Sequence, residues 1–220
     1  MISLAPTPSN DPLEPGSDLI AHLAGSARPA IIHYSGQERT ELSGRVAVNW
    51  ATKTTHLIDS YGIATPDELF VDLPVTWRSV ALMLGAAWCD LTCTAEPADA
   101  AAILTDRPDA HMAHAAEIFV THHQTVDAAL VDVDDEVLSH ADQALLPVPD
   151  LIGNAATQAD HPLSVDVRRG GVVLDAQDQR LDTAIWWAII DAWRRSQPVV
   201  LVEGADAAQR ARIIDTERLD

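Results

Sequence analysis

The stretch LFVDLPVTWRSVALMLGAAWCDLTCTAEPADAAAILTD, residues 69–106, decides the fold class of this chain. It opens with Leu69-Phe70-Val71-Asp72-Leu73, a short apolar run that Pro74 ends, since proline has no N–H to give to a ladder. Thr76 is placed to cap a helix from Trp77 to Trp88, its hydroxyl accepting a first-turn amide. The run Val80-Ala81-Leu82-Met83-Leu84 is apolar on nearly every side, and such a helix is buried, here against a sheet. Leu91-Thr92-Cys93-Thr94 and Ala101-Ala102-Ile103-Leu104-Thr105 then read as strands. Alternation of strand and helix at this pitch predicts βαβ units and a largely parallel sheet.

The same alternation extends upstream. Asp18 to Leu23 reads as a short helix closed by Gly25, and Ala30-Ile31-Ile32-His33-Tyr34 as a strand. After the turn Ser35-Gly36-Gln37, Arg39 to Leu42 returns as its hairpin partner. Ser43 is a candidate N-cap for a long helix on which Val46, Trp50, Thr54 and Leu57 recur at three- and four-residue intervals, closed by Tyr61-Gly62.

Downstream, Ala110 to Ala116 reads as a short helix and Ile118 to Thr121 as a strand. Residues 125–146 carry an alternating acidic centre that suits a helix or a strand and turn equally. Residues 147–162 read as a long connection. Val165-Asp166-Val167 and Val172 to Asp175 are strands flanking Gly170-Gly171, a hairpin turn. A helix from Asp182 to Ser196 brings Trp186 and Trp193 onto one face, with Trp187 partly outside it. Val199 to Val202 is the next strand, and Asp206 caps a final helix to Glu217. The expected organisation is an irregular leader over residues 1–17, with four prolines and a glycine, and one α/β domain over residues 18–220. That domain divides into two subdomains, about 66–125 against 18–65 plus 165–220.

Composition bounds the function. The 220 residues include 33 acids against 14 bases, a net charge of −19, and Lys53 is the sole lysine. Such a surface repels nucleic-acid phosphates and anionic headgroups, so neither nucleic acid nor membrane is an expected partner. No apolar run reaches the roughly 18 residues of a membrane span. The N-terminus has no basic segment leading into an apolar one, so the expected location is the cytoplasm. Cys89 and Cys93 make neither a disulfide framework nor a zinc set and read as two small buried residues.

Three groups invite a chemical reading. His111, His114 and Glu117 are spaced by three, and a shared helical face would make them a metal set; a solvated polar face is the simpler reading, since zinc needs three or four convergent ligands. The acidic run Asp132, Asp134, Asp135, Glu136 lacks the sixth-position glycine and twelfth-position glutamate of a calcium loop, so it reads as solvated. Gly170-Gly171 precedes its strand, where a dinucleotide fingerprint would follow one. No serine stands in a nucleophile elbow. No catalytic residue, cofactor or metal is assigned on these grounds.

The element order resembles the front portion of adenylate-forming, acyl-CoA synthetase-like enzymes. Ala30 to Tyr34, Arg39-Thr40-Glu41-Leu42-Ser43 and the helix through Trp50 stand where that family has a strand, a turn and a helix entered by "T-x-x-E-L". Val71-Asp72-Leu73-Pro74, the helix through Trp88 and Leu91 to Thr94 are similar to its "L-P-N" strand, apolar helix and following strand. Ile103-Leu104-Thr105-Asp106 matches "I-L-x-T-D". Ala184 to Trp193, Pro198 to Val202 and Ala211 to Arg218 resemble its later helix, "G-A-x-V-V-L" strand and "I-E-R-E-R-V" helix. A group of short actinobacterial proteins looks alike, including the Asn49-Trp50-Ala51-Thr52-Lys53 stretch.

The resemblance implies an ATP phosphate loop, "S-G-T-T-G-x-P-K", after Ile118 to Thr121. His122-His123-Gln124-Thr125-Val126-Asp127 stands there instead, without glycine or lysine. The family's ribose-holding aspartate and its lid domain with the catalytic lysine would lie beyond residue 220, and Lys53 sits on an early surface helix. The expectation is a non-catalytic relative acting as a binding or assembly module, forming homo-oligomers or engaging a protein partner. The alternatives are a protein that binds a small acyl or nucleotide ligand, and a metal-dependent enzyme using His111, His114 and Glu117.

Overall fold

The computed structural model describes residues 11–123, 126–143, 146–156 and 165–220. Among the described residues, ten strands form two five-stranded sheets. The first runs β2-β1-β10-β9-β8, with β1 Pro29–Ser35, β2 Glu38–Ser43, β8 Val165–Arg168, β9 Gly171–Asp175 and β10 Val199–Glu203. Its three central strands are parallel, and antiparallel hairpin partners flank them. The second sheet runs β4-β3-β5-β6-β7, with β3 Glu68–Asp72, β4 Thr92–Cys93, β5 Ala102–Thr105, β6 Glu117–Val120 and β7 Val131–Asp132. Every pairing in it is parallel. The architecture is the expected α/β one, with parallel and mixed sheets flanked by helices.

Capping side chains set the helix starts. Ser43 accepts from the Val46 amide to open α2, Gly44–Ser60, and Thr76 accepts from the Ser79 amide to open α3, Trp77–Trp88. Asp182 does the same for α6, Thr183–Arg194, and Asp206 forms a reciprocal capping box with Gln209 on α7, Ala207–Thr216. Each such cap contributes about 1 kcal/mol by satisfying an amide with no intrahelical partner. The remaining helices are short: α1 Leu19–Ala24, α4 Val133–Glu136 and α5 Leu151–Ala156.

Helices α2 and α3 join two cores. Ala47, Val48 and Ala51 of α2, with Val80, Met83 and Leu84 of α3, pack with Ile31, Leu174, Val199, Leu201 and the α6 residues Ile189 and Trp193. Leu57 and Ile58 of α2, with Leu82 and Ala86 of α3, pack with Leu69, Leu104 and Phe119 of the second sheet. This arrangement explains a helix that is apolar all round, because α3 has a core on either side. α7 covers the other face of the first sheet, where Ile213 and Ile214 meet Ile32, Val173 and Val200.

Two glycines are required by close approach. A Cβ on Gly85 would lie 2.5 Å from Thr54 Cβ and 2.6 Å from the Ala51 carbonyl, so α2 and α3 touch backbone to backbone there. In the Gly170-Gly171 turn, which does join β8 to β9, a Cβ would meet the carbonyls of Arg218 and Pro198, each at 2.8 Å. The hairpin turn therefore also receives the C-terminal residues, with Leu219 buried and the Arg169 amide donating to Asp220.

Several expectations are corrected. Val46 is exposed, and the buried side of α2 is carried by Ala47, Ala51, Thr54, Thr55 and Ile58. The segment from Ala110 to Ala116 is not an α-helix: a 3-10 turn spans Pro108–Ala110, and the His111 and His114 amides donate three residues back. Residues 147–162 are not all connection, because α5 lies within them; residues 157–164 are outside the described residues, as are residues 1–10 of the leader. Within residues 125–146, a strand comes first and a short helix follows. Cys89 is buried, whereas Cys93 is exposed. No helix among the described residues is long and apolar enough to cross a membrane.

Candidate functional site

Ligands of open α/β sheets gather beyond the carboxyl ends of the parallel strands, where loops diverge and helices begin. In the all-parallel sheet that edge is built from the ends of β3, β5, β6 and β7, with the first turn of α3 beside it. Polar side chains concentrate there.

Asp72, the last residue of β3, is the hub. Its side chain is only 9% exposed, and its carboxylate accepts from Arg107 Nε and Nη2, Arg180 Nε and His111 Nε2, the last two at 2.9 Å. Burial alone would raise its pKa, but hydrogen bonds from Arg107 and His111 and the charge of Arg180 outweigh it and hold the carboxyl below the usual range. Arg180 reaches in from the loop after β9, so the hub joins the two sheets. Its Nη2 also meets Asp106 Oδ1 at 2.6 Å, and backbone bonds from Val75 to Gln179 and from Leu181 to Leu73 fix the same seam.

A second cluster lies at the end of β6. Asp134, from the first turn of α4, accepts from Thr121 Oγ1 at 2.8 Å and from the His122 backbone N–H at 2.9 Å, and pairs with Arg78 at 3.0 Å. His122 adopts φ +64°, a left-handed conformation that costs a non-glycine residue about 1–2 kcal/mol. Its ring Nε2 lies 3.3 Å from both Thr76 Oγ1 and Ser79 Oγ, at the α3 N-terminus. His123 contacts the Asp106 carbonyl. Arg78 also lies over the Trp77 ring, 5.2 Å from its centroid.

The chemistry of this edge is self-satisfied. Arg78, Arg107 and Arg180 face Asp72, Asp106 and Asp134, three charges of each sign, every one of them paired. Arg107 is the cation most open to solvent, at 57% exposure. Asp134 and Asp132, expected to belong to a solvated acidic run, have internal duties: Asp132 caps α4 through the Asp134 and Asp135 amides.

The residues proposed for a metal are separated in role. His111 is buried, gives Nε2 to Asp72, and packs its ring edge-to-face on Phe70; its Nδ1 has no partner. His114 stands with its ring centroid 6.1 Å from that of His111, and Glu117 begins β6. Among the described residues no group of three or more histidine, cysteine or acidic side chains is arranged to hold a metal ion. Lys53 lies on α2 as expected, but its ammonium is largely covered and donates to the His140 carbonyl and to Asp142. Trp186 and Trp193 meet edge-to-face in the core, and Trp187 is partly buried at its margin.

Sequence reasoning did not find Asp72, Arg180, Asp134 or Arg78. Their partners are 12 to 108 residues distant, and only the Asp of "I-L-x-T-D", Asp106, stood in a motif. A signal did exist, since the arginines are few in so acidic a chain and Arg107 and Arg180 each follow a strand.

Comparison with known proteins bears on the fold. No family model matches the chain. A curated "TIGR03089 family protein" of Mycobacterium tuberculosis is 26% identical over 219 residues, covering 87% of this chain and 89% of that protein. Among solved structures, an acyl-CoA synthetase of Brucella canis superposes with a TM-score of 0.66 at 16% identity, over 91% of this chain and 46% of its own. The amide bond synthetase McbA of Marinactinospora thermotolerans gives 0.62 at 15%, with the same two coverages. A Mycobacterium tuberculosis fatty acyl CoA synthetase also gives 0.62 at 15%, over 91% and 47%. The chain thus spans about half the length of these solved structures. Its fold is that of the N-terminal region of adenylate-forming enzymes.

Proposed function

We propose that this protein uses the adenylate-forming fold without performing the adenylation reaction, and acts as a binding or assembly module. One observation carries the reading: the chain supplies its own anion at the end of β6. A phosphate loop works by presenting free backbone amides and hydroxyls to the nucleotide, and needs glycine to curl them around it. Here the Thr121 hydroxyl and His122 amide are both taken by the Asp134 carboxylate, and Arg78 neutralises that carboxylate. An incoming phosphate would have to displace a tethered, paired carboxylate and would meet Asp106 beside it. At an effective dielectric of about 20, one such like charge at 4 Å costs about 4 kcal/mol.

The test is ATP–pyrophosphate exchange by the purified protein across a panel of fatty, aromatic and amino acids. No acid-dependent exchange is expected, and reproducible turnover with any acid overturns the proposal. Thermal shifts with AMP, ATP and acyl-CoAs separate the two ways of being non-catalytic: a concentration-dependent rise marks a retained ligand site. A flat response together with self-association in sedimentation marks an assembly role.

A further inference from the structure

The free nitrogen of His111 has the surroundings of a metal ligand. The His111 side chain is 8% exposed, and its Nε2 lies 2.9 Å from Asp72 Oδ2. The Asp72 carboxylate, held between Arg107 and Arg180, can only accept, so Nε2 carries the proton and Nδ1 is left with a lone pair. That lone pair is buried and has no partner among the described residues. A metal-binding histidine is oriented in this same way, its other ring nitrogen giving a proton to a carboxylate.

His114 supplies a second free imidazole. Its amide donates to the His111 carbonyl at 3.0 Å, a tight turn that brings the two ring centroids to 6.1 Å. The His114 ring is partly exposed and makes no hydrogen bond or ion pair among the described residues. The separation discriminates between metals. With a metal–nitrogen bond of about 2.0 Å, an ion lies about 3.2 Å from the centroid of each imidazole that binds it. Two such rings are then about 6.4 Å apart when they stand opposite each other, and about 5.2 Å apart at tetrahedral angles. The observed 6.1 Å fits nearly opposite ligands, the tetragonal arrangement of copper(II) and nickel(II), and not the tetrahedral one of zinc. Between the first two, copper(II) binds the tighter at a given set of donors.

The electrostatic setting favours a cation. Residues 59–160 carry eighteen acids against two arginines, a field that concentrates divalent ions. Arg107 and Arg180 lie with Asp72 at the Nε2 end of the His111 ring and are paired there. The other facing histidines, His56 and His140, do not qualify. Their centroids are 6.5 Å apart, His56 Nε2 is taken by the Gln143 carbonyl, and neither ring is bonded to a carboxylate among the described residues.

We propose that His111 Nδ1 and a ring nitrogen of His114 form a two-histidine copper(II) site, oriented by Asp72 and completed by water. Glu117, which opens β6, is not a ligand in it. The site does not rest on the absence of adenylation.

The test uses the full chain, stripped with EDTA, dialysed free of it and titrated with copper(II) chloride in a non-coordinating buffer. A 1:1 complex with a dissociation constant of about 1 µM is expected. Its electron paramagnetic resonance spectrum should be tetragonal, with hyperfine structure from two equatorial nitrogens, and broadening of ¹⁵N-labelled amides should centre on residues 111–117. Zinc should bind at least about tenfold more weakly. His114→Ala, at a partly exposed ring with no bonds to lose, should weaken copper(II) at least about tenfold and remove one nitrogen coupling, with the amide spectrum otherwise intact. His56→Ala and His140→Ala should leave copper affinity unchanged. Coupling to fewer than two nitrogens in the parent protein, a His114→Ala variant of unaltered affinity, zinc bound as tightly as copper, or broadening centred on other histidines would each overturn the assignment. So would the absence of 1:1 binding at about 100 µM copper(II).

Discussion

Asp134 and His122 are joined by a hydrogen bond from the His122 backbone N–H to Asp134 Oδ2 at 2.9 Å, across the turn at which the second sheet ends its β6 strand. The same carboxylate takes the Thr121 hydroxyl and the Arg78 guanidinium, so one acidic side chain closes a left-handed turn and a helix start together. Replacing it with alanine leaves the amide, the hydroxyl and a half-buried cation without their acceptor. Asp134→Ala should destabilise the protein by about 1–3 kcal/mol, the cost of unsatisfied buried partners, and Asp134→Asn by less because one acceptor oxygen remains. Urea unfolding followed by circular dichroism checks the order. Neither variant should gain ATP–pyrophosphate exchange, since removing the occupant does not supply the missing glycines.

Asp72 is held by partners from both sheets, and its loss should be felt more widely. Asp72→Ala would strand the buried His111 ring and remove one of two carboxylates from Arg180. Breaking a buried pair from one side costs about 3–5 kcal/mol. Here the lower end is expected, near 3 kcal/mol, because Arg107 is largely solvated and Arg180 keeps Asp106. Arg107→Gln should cost under about 1 kcal/mol, in line with an exposed ion pair. Denaturation midpoints of the two variants, compared side by side, test this asymmetry; equal losses would contradict it.

What the sequence made legible was local. Ser43, Thr76 and Asp206 announced their helices because an N-cap is a three-residue interaction. Residues 80–84 announced a buried helix because that signal is carried by composition within little more than one turn. The misreadings share a cause too. The three-residue spacing of His111, His114 and Glu117 fits a helix, but only about two turns fit between Pro108 and β6, too little to form one without tertiary support. α5 was hidden by Gly153 and Asn154, weak helix formers, and its burial of Leu151 and Ile152 is a tertiary fact. The candidate site was the least legible part. Arg180 meets Asp72 across 108 residues of chain, and no period or motif connects them.

Gly85 marks the closest approach of α2 and α3, and the Thr55 hydroxyl donates to its carbonyl at 3.1 Å. In an isolated helix, alanine at this position would gain about 1 kcal/mol over glycine. The contacts reverse the sign, because the added methyl meets Ala51 backbone and the Thr54 Cβ, neither of which can rotate away. Gly85→Ala should therefore destabilise, by about 1–3 kcal/mol for overpacking less the propensity gain. Gly85→Val should be worse still. A stabilised Gly85→Ala variant in chemical denaturation would show that the two helices separate easily.

His33 gives the protein a pH dependence near neutrality that its carboxylates do not. It is buried in β1, its Nε2 has no hydrogen-bond partner, and the nearest acid, Glu203, is 3.8 Å away. Burial pushes its pKa below 6.5, and the Glu203 charge only partly offsets this. His140 is shifted the same way, by burial and then by the charge of His56. A base with a depressed folded pKa binds fewer protons when folded than when unfolded, so stability rises with pH between the folded value and 6.5. Read downward, stability is fully present above 6.5 and falls as pH drops toward the folded pKa. Asp72 and Glu217, whose pKa values are lowered, act in a separate window: their contribution is present above the usual carboxylate range and is lost only as pH falls through it. Melting temperature followed from pH 8 to pH 3 should accordingly decline in two stages. His33→Leu, which removes the orphan nitrogen, should flatten the first stage and leave the second in place. An unchanged slope between pH 6.5 and pH 5 in that variant would assign the first stage to another group, with His140 the next to replace.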